Sequence, residues 1–435
     1  MQTFVASALA FLSPPPGTPG FAPLPDYALL EEIPADELTL RNAADFLYGM
    51  ALARQGEMDR AVEVSLKCIQ RERAPRGKQT IPTLAPFLSR IYLMQGRLHA
   101  TASLCREFLD PIQERGIRFI YTAGSIKIDL GEVLSEWNCL EEAEQHIRDG
   151  LQANETWRNI MTVGFGLTAL TRLLLTKGDY AGAMQTVEKF ETRLREHAQP
   201  REFDEDSRTL RVRLQLASGD LQAAARWADQ VLLGEDFAIH PEYYRLSLAR
   251  IRLAQGRHAE VENLLARTTP PPAVGSQLTR QLESDLLLAA AVAGQGRLPE
   301  ACGLIESSLA LAEPEGYIRI FLDVGTPARE LLAAYLRSAV PSHQLYAQKI
   351  LDAFLLVSQP SFPGPQPGGL IEPLTGRELE VLQLIALGRT NQEIARQLVV
   401  APGTVKAHTA SIYRKLDVAN RTEAVARARQ LGILP

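Results

Sequence analysis

The residues best suited to chemistry lie in the run GTVKAHTASIYRKL, from Gly403 to Leu416. It carries Lys406, His408, Arg414 and Lys415 and no carboxylate. At helical spacing, Val405, Thr409, Ile412 and Leu416 share one face and would bury. Gly403, Lys406, Ala407, Ala410 and Arg414 share the opposite face, which is small and cationic. Small side chains let a helix backbone approach a groove floor. Lysine can meet a guanine edge or a phosphate, and an alanine methyl can contact a thymine methyl. Arg414 and Lys415 suit phosphates. The chemistry implied is recognition of duplex nucleic acid. Taken singly, Lys406 is an ordinary solvated lysine and His408 packs at a helix edge. Only the joint pattern assigns them a shared surface.

The elements that must position this run lie between Leu374 and Leu434. The spacing predicts four short helices. The first spans Thr375 to Leu387, with Leu379, Leu382, Ile385 and Ala386 on one stripe, and Gly388 stops it. Thr375 and Glu378 form a capping box, in which hydroxyl and carboxylate each satisfy an orphan backbone N–H. Thr390 and Glu393 form another, opening a helix through Leu398 with Ile394, Ala395 and Leu398 inward. A tight turn, Val399-Val400-Ala401, follows. Pro402 suits the first position of the third helix, where a missing N–H costs nothing. Asn420 and Glu423 open the fourth. Two helices joined by such a turn make a helix-turn-helix, here residues 391–410, whose second helix enters the major groove.

At these residues the chain resembles the LuxR-type DNA-binding domain. The matching pattern is Leu374-Thr375-x-Arg377-Glu378, Asn391-x-Glu393-Ile394-Ala395, Thr404-Val405-Lys406-x-His408, Lys415-Leu416 and Asn420-Arg421-Thr422-Glu423-Ala424. The resemblance implies a four-helix domain at 374–435 that binds promoter DNA, as a dimer through its last helix, with RNA polymerase as a further partner. Carried across, Lys406, Ala407 and Ala410 face bases, and Thr404, His408 and Arg414 lie nearer phosphates. Two departures stand out. Ala401 replaces the Ser frequent at the start of the recognition helix, a lost cap worth roughly 1 kcal/mol. Ala410 stands where some members carry a basic residue, so specificity there differs.

The rest of the chain repeats. Gly56, Gly96, Gly178, Gly219, Gly256 and Gly296 are spaced by 40, 82, 41, 37 and 40 residues. Asn138 fills the doubled step, and Asn is the next-best residue for a left-handed helix cap. Two positions on lie Met58, Leu98, Leu140, Tyr180, Leu221, His258 and Leu298. Five positions on lie Ala61, Thr101, Ala143, Ala183, Ala224, Val261 and Ala301. Each unit reads as helix, capped turn and second helix, with the small residue permitting close packing. Seven units at a ~40-residue period predict a tetratricopeptide-like α-solenoid over 38–357, whose concave surface takes a small-molecule or protein effector. The segment Glu313 to Asp323 ends the array. Two helices follow, Pro327 to Ser338 and His343 to Val357. The Pro-rich segment 1–37 precedes the array, and a Pro/Gly-rich linker, 358–373, precedes the DNA-binding module.

The fold class expected is therefore all-α. From about Leu38 the chain resembles the C-terminal half of the large MalT-like ATP-dependent LuxR regulators. Their nucleotide-binding module has no counterpart: Gly77-Lys78 is followed by Thr80, but the Gly-x-x-x-x-Gly-Lys-Ser/Thr spacing is absent. That switch is expected to be lost, carried on another polypeptide, or removed by a shortened reading frame.

Composition agrees. The net charge is −5, but from Ile371 onwards nine Lys/Arg face six Asp/Glu, a +3 module on a −8 remainder. Cys68, Cys105, Cys139 and Cys302 form no CxxC pair or Cys/His cluster, so neither zinc nor a disulfide framework is indicated. They read as small core residues in a reducing compartment. No apolar run approaches the ~20 residues of a membrane span, and no positive charge precedes Arg41, so export is rejected and a cytoplasmic protein expected. The 7 His and the carboxylates imply no triad, metal site or phosphate loop. No catalytic residue, metal or cofactor is expected. The function implied is sequence-specific transcriptional regulation with a sensing repeat domain. The alternative is a helical-repeat adaptor with an auxiliary DNA-binding module.

Overall fold

A computed structural model describes residues 37–76, 84–114, 121–155, 160–196, 201–234, 241–265, 277–337, 342–356, 381–382, 384–386, 389–397, 402–416, 418 and 420–430. Every regular element among them is helical. The chain divides into two compact units, Met1–Val357 and Ser358–Pro435.

The first unit stacks seven antiparallel helix pairs. They are α1 (Leu38–Arg54) with α2 (Met58–Arg76), α3 (Ala85–Met94) with α4 (Leu98–Glu114), α5 (Tyr121–Glu136) with α6 (Leu140–Glu155), and α7 (Ile160–Thr176) with α8 (Tyr180–Glu196). Then come α9 (Arg201–Ala217) with α10 (Leu221–Leu233), α11 (Pro241–Ala254) with α12 (His258–Leu265), and α13 (Gln277–Gly294) with α14 (Leu298–Ala312). The glycine register is the register of the turns. Each first helix ends in two bonds, as at Gly96, whose N–H donates to the Leu93 carbonyl while the Arg97 N–H donates to that of Tyr92. This pair of bonds is a Schellman termination, and it places the capping residue in the left-handed region. Asn138 adopts it at φ 64° and is the only non-glycine to do so among the described residues. All seven small residues, from Ala61 to Ala301, are wholly buried. The large positions beside them are less uniform: Leu98 is wholly buried, but Leu298 in the last pair is 45% exposed.

From α3 to α13, consecutive first helices pack on one another, whereas the second helices barely meet. The array therefore curls with its first helices on the concave side. After α14, a 3-10 turn (Glu313–Glu315), α15 (Arg319–Val324), α16 (Thr326–Leu336) and α17 (Gln344–Leu356) complete the unit. The two helices expected after residue 326 are α16 and α17.

The segment expected only to end the array does more. It folds back across the concave side onto the turns of the second and third pairs. The Ile318 N–H donates to the Glu136 carbonyl at 3.0 Å, and Trp137 Nε1 to the Glu315 carbonyl at 2.9 Å. Tyr317 is fully buried, its hydroxyl donating to the Gly96 carbonyl at 3.2 Å. A side chain at position 96 would collide with Leu278, so glycine is needed there for close approach as well as for φ. Tyr346 on α17 donates its hydroxyl to the Tyr317 carbonyl and pins the strap from behind.

Cysteine burial departs from the uniform expectation. Cys68 and Cys105 are core residues, Cys302 is half-buried, and Cys139 is exposed. Cys139 follows the Asn138 cap and so lies in the turn, outside either helix.

Candidate nucleic-acid interface

In the second unit, helical residues 381–382 and 384–386 precede α18 (Asn391–Gln397), α19 (Pro402–Leu416) and α20 (Arg421–Gln430). The Arg389 N–H donates to the Leu384 carbonyl at 3.1 Å, and Gly388, expected to stop this helix, lies outside the described residues. The α18 capping box is formed: the Thr390 N–H donates to Glu393 Oε2 at 2.8 Å, and the Glu393 N–H to Thr390 Oγ1 at 3.3 Å. Before α20 the Glu423 N–H donates to Asn420 Oδ1 at 3.0 Å, and Asn420 donates its side-chain Nδ2 to Glu423 Oε1 at 2.6 Å. Thr375, Glu378, Leu398 and the turn at 399–401 lie outside the described residues, as do segments 1–36 and 357–380.

The core of this unit joins Val381, Leu382, Leu384, Ile385, Ile394, Ala395, Val405, Ile412, Leu416, Ala424 and Ala428. The inner face of α19 is therefore the expected one. Thr409 belongs to it because its hydroxyl donates to the Val405 carbonyl at 2.7 Å, satisfying a polar group that would otherwise be costly to bury. Lys406 is exposed and Lys415 half-buried. Thr404, Ala407, His408, Ala410 and Arg414 belong to the same helix. By register, Ala407, Ala410 and Arg414 lie opposite the buried stripe. The placement of these five side chains lies outside the described residues.

Two findings were not legible in advance. Arg421 anchors the start of α20 by donating Nη2 to the Ile385 carbonyl at 2.8 Å and the Arg389 carbonyl at 2.7 Å. These carbonyls end the preceding helix, where a cation is favoured. With α20 held in this way, Ala424 is wholly buried. Ala424 is therefore closed to a second copy of the module. Among the described residues Glu423, Ala426 and Arg427 are exposed there, and Leu431 lies outside them.

The first unit carries a separate set of charges on its concave face. Six residues before each turn stand Arg90, Glu132, Arg172, Arg213 and Arg250, one per successive first helix from α3 to α11. This shared register is the sequence signal that would have found them. Arg90 Nη1 meets Glu132 Oε1 at 2.8 Å and also pairs with Asp129. Glu283 on α13 accepts from Arg213 Nη2 at 2.8 Å and from Arg250 Nε at 2.7 Å. Arg172 Nη2 lies 3.4 Å from Glu136 Oε1, and Arg319 pairs with Asp323 within α15. Burial opposes ionisation of Glu283, yet Arg213 and Arg250 hold it well below the usual carboxylate range. For Asp129 and Glu136 burial prevails over Arg90 and Arg172 and pushes each up to about 7.

Among the described residues, no helix is long and apolar enough to cross a membrane.

These two units define a class: a LuxR-type, DNA-binding transcriptional regulator carrying a helical-repeat region. The model of the MalT-like TPR region matches residues 27–338, and that of the bacterial regulatory proteins of the luxR family matches residues 372–428. The chain belongs to the MalT-like TPR family. It is 28% identical over 426 residues to the HTH-type transcriptional regulator MalT of Yersinia enterocolitica, covering 92% of this chain and 46% of that protein. The Serratia proteamaculans MalT is 26% identical with the same coverage. The chain thus spans about half the length of the curated relatives it matches.

Proposed function

We propose that the chain reads a promoter through α19 and adjusts that binding to an effector held on its repeats. The observation that carries the first part is the two-faced composition of α19. Its buried stripe fixes the helix, and Lys406 projects into solvent from a run free of carboxylates. Lys406, Ala407 and Ala410 would address bases, and Thr404, His408, Arg414 and Lys415 phosphates. The concave charged face supports the second part. The protein acts in the cytoplasm, where promoter DNA and RNA polymerase are found. It pairs on DNA through the outer face of α20. The exposed residues described there, Glu423, Ala426 and Arg427, are few and partly charged, far short of the ~1,200–2,000 Å² of a stable interface. DNA must therefore hold the two modules together, over half-sites about one helical turn apart.

The test is fluorescence anisotropy of labelled duplexes selected from a random pool by the full chain. Lys406→Ala is expected to weaken binding by ~1–3 kcal/mol with relaxed base preference if it reads a base. It should lower the salt slope by about one, uniformly across sequences, if it meets a phosphate. Unchanged binding of every duplex would refute the assignment of α19 and favour the adaptor.

A further inference from the structure

The arginines on the concave face crowd together with much of their hydrogen-bonding capacity unused. Arg172, Arg213 and Arg250 extend from α7, α9 and α11 at one register position. With Arg319 they face the carboxylates of Glu136, Glu283 and Asp323, and Arg172 also feels Glu132, which is shared with Arg90. Glu283 engages one N–H of Arg213 and one of Arg250. Arg172 makes a single long contact, and Arg319 is held by Asp323. A guanidinium presents five donors in a planar fork, so most of this capacity is unspent. One donor is stranded: Arg250 Nη2 is buried with no acceptor. A buried donor of this kind marks a place where an acceptor belongs.

The arginines are nonetheless within reach of solutes. The side chains of Arg172, Arg213 and Arg250 retain 32%, 15% and 12% exposure. α15 forms one wall, its Asp323 carbonyl accepting from Arg250 Nη1 at 3.5 Å. The cationic, donor-rich character of the place suits a planar or tetrahedral oxyanion, which a guanidinium fork meets with two parallel bonds.

We propose that Arg172, Arg213 and Arg250 form a binding site on the concave face for a small solute bearing an oxyanion group, a carboxylate or a phosphate. An oxygen of the ligand supplies the acceptor that Arg250 Nη2 lacks, and Arg172 closes on it from the more open side. Because α15 is part of the wall, occupancy bears on how firmly the strap is seated. The site deepens the sensing half of the function proposed above, and its failure is separable from the failure of DNA recognition.

The experiment is calorimetric titration of the full chain at fixed ionic strength with inorganic phosphate, with succinate, and with glycerol as a neutral control. Saturable heat is expected for phosphate, succinate or both, and none for glycerol. Phosphate alone identifies a phosphoryl ligand, succinate alone a carboxylate. Arg250→Lys keeps the charge but loses the fork, and Arg172→Gln removes the outer guanidinium. Each is expected to weaken binding about tenfold or more. Arg211→Gln, whose parent side chain pairs with Glu191 on α8, should change affinity by less than about twofold. Should Arg250→Lys lose its helical circular dichroism, Arg172→Gln carries the test, since it breaks only the 3.4 Å contact. No saturable binding of either anion, equal binding of glycerol, or equal loss on Arg211→Gln overturns the site. None of these results touches anisotropy with duplex DNA.

Discussion

Replacing Arg421 with methionine removes a clamp without touching the face of α19. The side chain donates to two carbonyls, a half-buried one at Ile385 and an exposed one at Arg389. A hydrogen bond involving a charged group contributes ~1.5–3 kcal/mol when shielded and less when solvated. The Ile385 bond is worth about 2 kcal/mol on that scale and the Arg389 bond about 0.5–1. The expected loss is about 2–3 kcal/mol, and in a domain of this size each kcal/mol shifts Tm by roughly 4–8 °C. The DNA-binding unit should therefore melt about 10–20 °C lower. The chain provides its own internal control, because all three tryptophans, Trp137, Trp157 and Trp227, precede Ser358. Tryptophan fluorescence reports the repeat unit alone, and far-ultraviolet circular dichroism reports both units. An early dichroism step should appear in Arg421→Met while the fluorescence transition stays in place. Arg421→Lys, which cannot span both carbonyls, should recover less than half of the loss. A dichroism melt superimposable on that of the parent chain would refute the reasoning.

The repeat unit yields two further expectations. Asp129 and Glu136 rise from about 4 to about 7 on folding, so the folded state binds more protons across that window. The stability these two contribute is full below about pH 4, falls as pH rises to about 7, and levels off above. Glu283 and Asp323 act oppositely, but only below their unfolded values. Urea titrations at pH 5 and pH 8 should find the chain several kcal/mol more stable at pH 5, since each tenfold gain in proton affinity on folding is worth about 1.4 kcal/mol. The reverse order would mean that Arg90 and Arg172 outweigh burial. At the third turn, Asn138→Ala loses both left-handed tolerance and the 3.4 Å contact from Arg319, at about 1–2 kcal/mol, whereas Asn138→Gly relieves φ and stays within about 0.5 kcal/mol of the parent. Denaturant melts followed by fluorescence separate the two. Equal losses would show that φ is not what Asn138 is there to serve.

Much of this architecture was legible because its causes are local. A left-handed cap must be Gly or Asn, so six glycines and Asn138 spelled out the turns. A small residue must stand where two helices cross closely, and the fifth position after each cap is wholly buried. The capping box at Thr390 and the side-chain cap at Asn420 work within one turn of helix. What escaped depends on distance. Nothing near Tyr317 announces that its acceptor is Gly96, 221 residues away. The inward turn of Ala424 escaped for another reason: an alanine fits either side of a helix, and a clamp from Arg421 to carbonyls more than thirty residues earlier decides which. Cys139 departs from the core reading because a residue beside the cap belongs to the turn and not to a helix.

The strap also changes how the repeat array should come apart. A stack whose members touch only their neighbours frays from either end, one member at a time. Here bonds from residues 315–319 reach Gly96, Glu136, Trp137 and Asn138, so the second through seventh pairs form a closed loop of contacts with no free end. Releasing any one pair means breaking that loop, and the loop should yield in a single cooperative step. Its long-range contacts also slow its formation, since the ends must meet across nearly two hundred residues of chain. The first pair, α1 and α2, lies outside the loop and remains able to open by itself.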